Sequence, residues 1–173
     1  MRYLILIVLS LAILFPFCKN ENNFNYSAPK DYRTWKKATD KILDYSVPGH
    51  GASFRVIYAN DIALKAQKIK GKDGNDQLIY PDGSVIIKEV YKNKNGVNRV
   101  SPKLYIMYKD TSGKDSLEGW HYLVQNPDGK PAQAITSRMC IGCHEAANDK
   151  HLYFDKNPDR IFRDYLFINV LKK

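Results

Sequence analysis

This chain is defined first by what it lacks. It has only three cysteines, Cys18, Cys140 and Cys143. Cys18 sits at the end of an apolar N-terminal run, so no disulfide framework can be built, and the two remaining cysteines need another use. Only one C-x-x-C is present, whereas a structural zinc site usually draws on two such pairs. The excess of Lys and Arg over Asp and Glu gives a net charge of +9, yet the lysines are scattered. With no dense basic run and no nucleic-acid motif, they read as a solvated surface that could also meet acidic partners or an anionic membrane. There is no internal repeat, no low-complexity segment and no alternation of β-α-β units, so a solenoid and a doubly wound sheet are both excluded.

The N-terminus reads as a targeting segment. "MRYLILIVLSLAILFPFCKN" carries Arg2 and then an apolar run from Tyr3 to Phe17. That run suits a signal-peptide core and is short for a membrane span, which needs about 20 residues. Cys18 stands where a lipoprotein's acylated cysteine would stand. Phe15, Pro16 and Phe17 are bulkier than either a lipobox or an ordinary cleavage site prefers, so lipidation of Cys18 and simple cleavage both stay open. The expected layout is a leader over 1–18, a polar tether over 19–30 and one domain over 31–173, exported to the periplasm. About 155 residues suffice for one domain with its own core.

Apolar spacing at Tyr32, Trp35, Ala38, Ile42 and Tyr45 predicts a helix in "KDYRTWKKATDKILDY". "SVPGHGAS" breaks it. "FRVIYA" (Phe54–Ala59) is strand-like. "NDIALKAQKIKG" predicts a short helix capped by Asn60 and stopped by Gly71. The turn Pro81-Asp82-Gly83 feeds a strand over Val85–Tyr91. Further strands are expected over Lys103–Lys109 and through "EGWHYLVQ", the latter ending in a second Pro-Asp-Gly turn. Met139–Asn148 reads as helix, as does the closing "NPDRIFRDYLFINVLKK" with Pro158 near its start. The order is that of an α+β domain: an antiparallel sheet flanked by helices.

"CIGCH" is C-x-x-C-H. Its two thiols are spaced to meet the two vinyl groups of one haem, and its histidine is placed to reach the iron. Cys140 and Cys143 are thus the attachment residues for one haem c, and His144 the iron ligand. Zinc would need partners from His50, His121 or His151, none of which has finger-like spacing, and a thioredoxin-like pair would need a β-α-β setting. For the sixth iron position Met107, His121 and His50 come into view, but each reads more readily as core or structure. Met139 adjoins Cys140 and is badly placed for the far face. An open sixth position favours ligand binding or catalysis. In "SVIIKEVY", Val85, Ile87, Glu89 and Tyr91 share one face, and Ile86, Lys88 and Val90 the other. A lysine on an apolar strand face either snorkels to an edge, pairs with an acid, or is held neutral and used.

With these pieces in place, the chain resembles the cytochrome P-460 family. The segments "TWKKAT", "PGHGASFRVIYAND", "YPDGSVIIKEVY", "GWHYLV" and "CIGCHEAANDKHLYF" carry the likeness, in family order, over Tyr32 to Phe154. The resemblance implies a helix-flanked antiparallel β-domain, a homodimer and one haem c. It places Lys88 at the strand lysine that bonds to the porphyrin in members oxidising hydroxylamine at a five-coordinate haem. It places Arg55 at a distal position able to orient a small nitrogen substrate. Electrons would leave to an external acceptor such as a soluble cytochrome. Relatives lacking the lysine, the β-sheet cytochromes c-prime, bind nitric oxide instead. Simple electron transfer with Met107 or His121 as sixth ligand is the remaining reading. Some members use a distal carboxylate as proton acceptor, and "GKPAQAITSRM", before Cys140, contains no acid.

Overall fold

The fold is that of a computed structural model, which describes residues 24–39, 41–45, 54–91, 104–125, 130, 132–135, 138–153 and 156–171. Eight strands appear among them: β1 (Lys36–Lys37), β2 (Phe54–Ala59), β3 (Gln67–Lys70), β4 (Asp76–Ile79), β5 (Val85–Tyr91), β6 (Leu104–Lys109), β7 (Trp120–Gln125) and β8 (Gln133–Ala134). Six form one antiparallel sheet in the order β1-β2-β5-β6-β7-β8, and β3 and β4 pair separately as a hairpin. One α-helix, α1 (Arg138–Glu145), is present among the described residues and runs on into a 3-10 turn, Ala146–Asn148. This is the expected α+β antiparallel architecture, with fewer helices than the periodicity suggested.

Strand parity sorts the core into two layers. On the front face Ala59, Ile86, Met107, Trp120 and Tyr122 pack with Leu166, Ile168 and Val170 of the C-terminal segment. On the back face Val56, Tyr58, Val85, Ile87, Ile106 and Leu123 pack beneath Tyr32, with Phe24 and Tyr26 against them. Each large apolar side chain buried this way contributes roughly 1.5–3 kcal/mol. The turn before β5 needs its glycine: Gly83 has φ 82°, a left-handed conformation that other residues adopt only with strain.

Three expected helices are not formed. The segment around Trp35 makes a 3-10 turn, Tyr32–Thr34, and then extends into β1. The open edge of β2 outcompetes local periodicity, because Ala38 N–H donates to Ile57 O (2.8 Å) and Leu43 and Arg55 exchange backbone bonds (2.9 and 3.0 Å). The second helix shrinks to the turn Ala63–Lys65, where Asn60 Oδ1 does accept the Ala63 N–H (2.9 Å), and the chain then enters β3. The closing helix is replaced by an irregular run in which Lys156, Asn157, Arg160, Asp164 and Tyr165 all have φ between 42° and 67°. Side-chain bonds fix that path: Asn157 Nδ2 donates to Ala147 O (3.1 Å) and Ile161 O (2.9 Å). Asp and Asn tolerate the left-handed region better than most residues.

Candidate functional site

Helix α1 puts its chemistry on one face. Cys143 and His144 lie three and four positions after Cys140, so one turn of helix brings all three side chains to the same side. Both thiols are free. Burial, and then the neighbouring Cys143, pushes the Cys140 thiol pKa up. His144 Nδ1 lies 2.8 Å from the backbone carbonyl of Tyr165. A carbonyl oxygen only accepts, so Nδ1 carries the proton and donates, which leaves the lone pair on Nε2. Burial holds the imidazole pKa down at about 4, with the charge of Lys88 acting the same way and the bond to Tyr165 opposing. At neutral pH the ring is therefore neutral, the form that ligates a metal, and its second nitrogen is already oriented. The rings of Tyr122 and Phe167 pack on it edge-on, with centroids at 5.2 and 5.5 Å.

The helix faces a cavity of about 560 Å³ between the front of the sheet, α1 and the C-terminal segment. That volume is typical of cofactor pockets, roughly 300–1,000 Å³. Its walls are mostly apolar: Leu43, Ile57, Ile86, Met107, Phe167 and Ile168 are among them. The two cations on the described lining come from adjacent strands. Lys88 of β5 stands opposite Ile57 and Tyr105 in the sheet, with its Nζ 4.2 Å from the Tyr105 ring centroid. Burial, and then the charge of Arg55, lowers its pKa to about 7, so much of it is neutral near neutral pH. Arg55 of β2 is 2% exposed. Its Nη2 donates to Tyr45 O, its guanidinium lies 4.9 Å from the Tyr45 ring centroid, and burial pushes its pKa down. Arg55 Nη1 and the Tyr122 hydroxyl are buried with no hydrogen-bond partner among the described residues. The described lining contains no Asp or Glu.

The structure brings Cys140, Cys143, His144, Lys88 and Arg55 to this one cavity. His121 does not belong there. It has the opposite strand parity to Tyr122 and stacks on Phe24 behind the sheet, at a centroid distance of 3.6 Å. Met107 does line the cavity, on the strand beside Tyr122, whose ring packs on His144. Cys18, His50, the leader and the second Pro-Asp-Gly turn lie outside the described residues, as does the side chain of Met139. The sequence reading missed the aromatic part of the wall, namely Tyr45, Tyr105, Tyr122, Tyr153 and Phe167. Parity alone would have found two of these, because Tyr105 shares a face with Met107, and Tyr122 with Trp120.

What fits such a hollow is a large, mostly apolar group bound through one imidazole. Haem c is such a group. Cys140 and Cys143 would hold it, His144 would ligate its iron, and the orphaned hydroxyl of Tyr122 would give one of its polar atoms a partner. Zinc fits worse, since among the described residues no group of three or more His, Cys, Asp or Glu is placed to hold a metal ion. The class is thus a c-type cytochrome. Its family follows directly: the chain matches the cytochrome P460 family over residues 29–168 and belongs to it. Membership implies the haem c cofactor. No curated protein matches the chain.

Proposed function

We propose that this is an exported, periplasmic mono-haem cytochrome that oxidises hydroxylamine or a related small nitrogen compound at a five-coordinate haem. The observation that carries the reading is the position of Lys88: it faces the same cavity as Cys140, Cys143 and His144, with an amine whose pKa is lowered to about 7 by burial. A neutral amine is the form able to bond to carbon, so Lys88 is the candidate for a further cross-link to the porphyrin, in which an N–H and a ring C–H would be lost as two protons and two electrons, the electrons going to an added oxidant such as a peroxide. When bound, the haem supplies a redox-active iron that accepts electrons from the nitrogen compound and passes them to an external acceptor.

The residues around it divide the remaining work. His144 would ligate the iron as a neutral imidazole. The described lining offers no second histidine, and a haem held only by His144 there would keep a position for a small ligand. Arg55, with Nη1 not otherwise engaged, orients a polar nitrogen substrate by donating a hydrogen bond. The apolar walls exclude water and strengthen that contact. A soluble cytochrome is a fitting acceptor for a chain of net charge +9 if its own surface is acidic. The protein would act as a homodimer, with Cys18 the candidate site of a lipid anchor.

The lack of a carboxylate on the described lining favours a second reading, non-catalytic binding of nitric oxide, because oxidation of hydroxylamine also releases protons that need an acceptor. The ferrous optical spectrum and a turnover assay separate the two. Oxidation predicts a strongly red-shifted ferrous band and hydroxylamine-dependent reduction of an added acceptor. An ordinary haem c spectrum with no turnover, but with nitric oxide binding, would replace the first reading by the second. A low-spin, six-coordinate spectrum would point to electron transfer.

A further inference from the structure

One buried carboxylate plays no part in the chemistry above. Asp164 is 3% exposed and receives hydrogen bonds from three different parts of the fold. The Tyr80 backbone N–H donates to Oδ2 (3.1 Å), while Lys109 Nζ (2.7 Å) and Trp120 Nε1 (3.2 Å) donate to Oδ1. Lys109 is itself buried, so the pair neutralises two charges that neither could carry alone in the core. The anchoring forces an unusual path on the chain. Asp164 and Tyr165 have φ of 50° and 67°, a left-handed pair with no glycine in it, and such conformations persist only where the surroundings over-determine them.

A second clamp acts from the helix side. Asn148, in the turn that continues α1, accepts through Oδ1 from the Arg163 N–H (2.8 Å) and the Tyr165 N–H (3.3 Å). The peptides of residues 163–165 are thus gripped between the sheet and the helix that carries His144. What this grip fixes is the direction of the Tyr165 carbonyl, 2.8 Å from His144 Nδ1.

We infer that Asp164 is a positioning residue for the iron ligand: by holding the Tyr165 carbonyl, it sets the strength of the bond from His144 Nδ1–H and hence the donating power of His144 toward the haem iron. The inference rests on the reading of His144 as that ligand. A firm acceptor on the far nitrogen makes an imidazole a stronger donor, and the axial ligand's basicity is one lever on a haem's potential. Slackening the clamp weakens the iron–histidine bond and stabilises ferric iron less.

The test is made on the haem-loaded protein, with resonance Raman of the ferrous form and a redox titration. Asp164→Asn should move the iron–histidine stretch to lower frequency and the midpoint potential upward. Trp120→Phe, which removes one of the three donors, should move both in the same direction by less. Arg33→Leu, behind the sheet, should move neither. An Asp164→Asn protein with wild-type stretch and potential overturns the inference, as does an Arg33→Leu protein that shifts as far. Should Asp164→Asn yield no loaded protein, Trp120→Phe decides alone, and an unmoved band and potential there overturn it. A wild-type protein whose ferrous haem is high-spin yet shows no iron–histidine stretch overturns the ligand reading instead, so the two failures are distinguishable.

Discussion

Lys88 and Glu89 are neighbours on β5 and face opposite sides of one sheet. Behind the sheet, Glu89 is 1% exposed and fully engaged: Arg33 donates to both its oxygens, from Nη2 at 2.6 Å and Nε at 3.2 Å, and the Tyr91 hydroxyl donates at 2.8 Å. In front, Lys88 projects into a hollow whose nearest other cation, Arg55, repels it, and its pKa falls to about 7. The same strand therefore carries one charge that is structural and one whose protonation is poised. What lies opposite the side chain decides which is which. Arg33 and Tyr91 hold the Glu89 carboxyl in place, whereas burial beside an apolar cavity makes the charged form of Lys88 expensive.

Breaking the front should cost function and sparing the back should leave it intact. The largest effect is expected from Cys140→Ser with Cys143→Ser, which should abolish covalent haem retention; a denaturing gel stained for haem checks this. Lys88→Leu should keep the haem but return the ferrous band to the position of an ordinary haem c, as read by absorption spectroscopy. Cross-linking of the wild-type chain during haem loading should depend on pH through Lys88. The amine is neutral above its pKa, so the linked fraction should be flat above about pH 7 and fall with acidity, by about tenfold per unit in the limiting rate. Mass spectrometry of samples loaded at several pH values measures it. At the back, Arg33→Leu takes from the buried Glu89 its cation and leaves Tyr91 as a donor. Because the Arg33 side chain is 45% exposed, the loss is discounted to about 1–3 kcal/mol in urea unfolding, with an unchanged haem spectrum. The smallest effect belongs to His121→Phe, which should leave the spectrum untouched, since that ring stacks on Phe24 away from the cavity.

Much of this arrangement was legible because it is local. Strands β2, β5, β6 and β7 announce themselves by β-branched and aromatic runs. Parity alone separated Lys88 from Glu89, and the C-x-x-C-H spacing needs only one helical turn to bring Cys140, Cys143 and His144 together. The failures share a different cause. Trp35 and Tyr45 have helical spacing, but the unpaired edge of β2 offered their segment backbone partners that no local pattern reports. "RIFRDYLF" has apolar spacing too, yet Asp164 answers to Tyr80, Lys109 and Trp120, which lie 84, 55 and 44 residues away. Contacts at that separation leave no trace in periodicity. The clearest available hint was chemical: Asn157, Asp159 and Asp164 are poor helix-interior residues with a taste for turns.

The central claim is that Lys88 shares one cavity with the haem-binding helix closely enough to react there. Mass spectrometry of a protease digest of the haem-loaded protein tests it most directly. The account predicts that the fragment containing Lys88 is recovered joined, through haem, to the fragment containing Cys140, Cys143 and His144. Recovery of the Lys88 fragment at its unmodified mass, with haem held on the two cysteines alone, would contradict it.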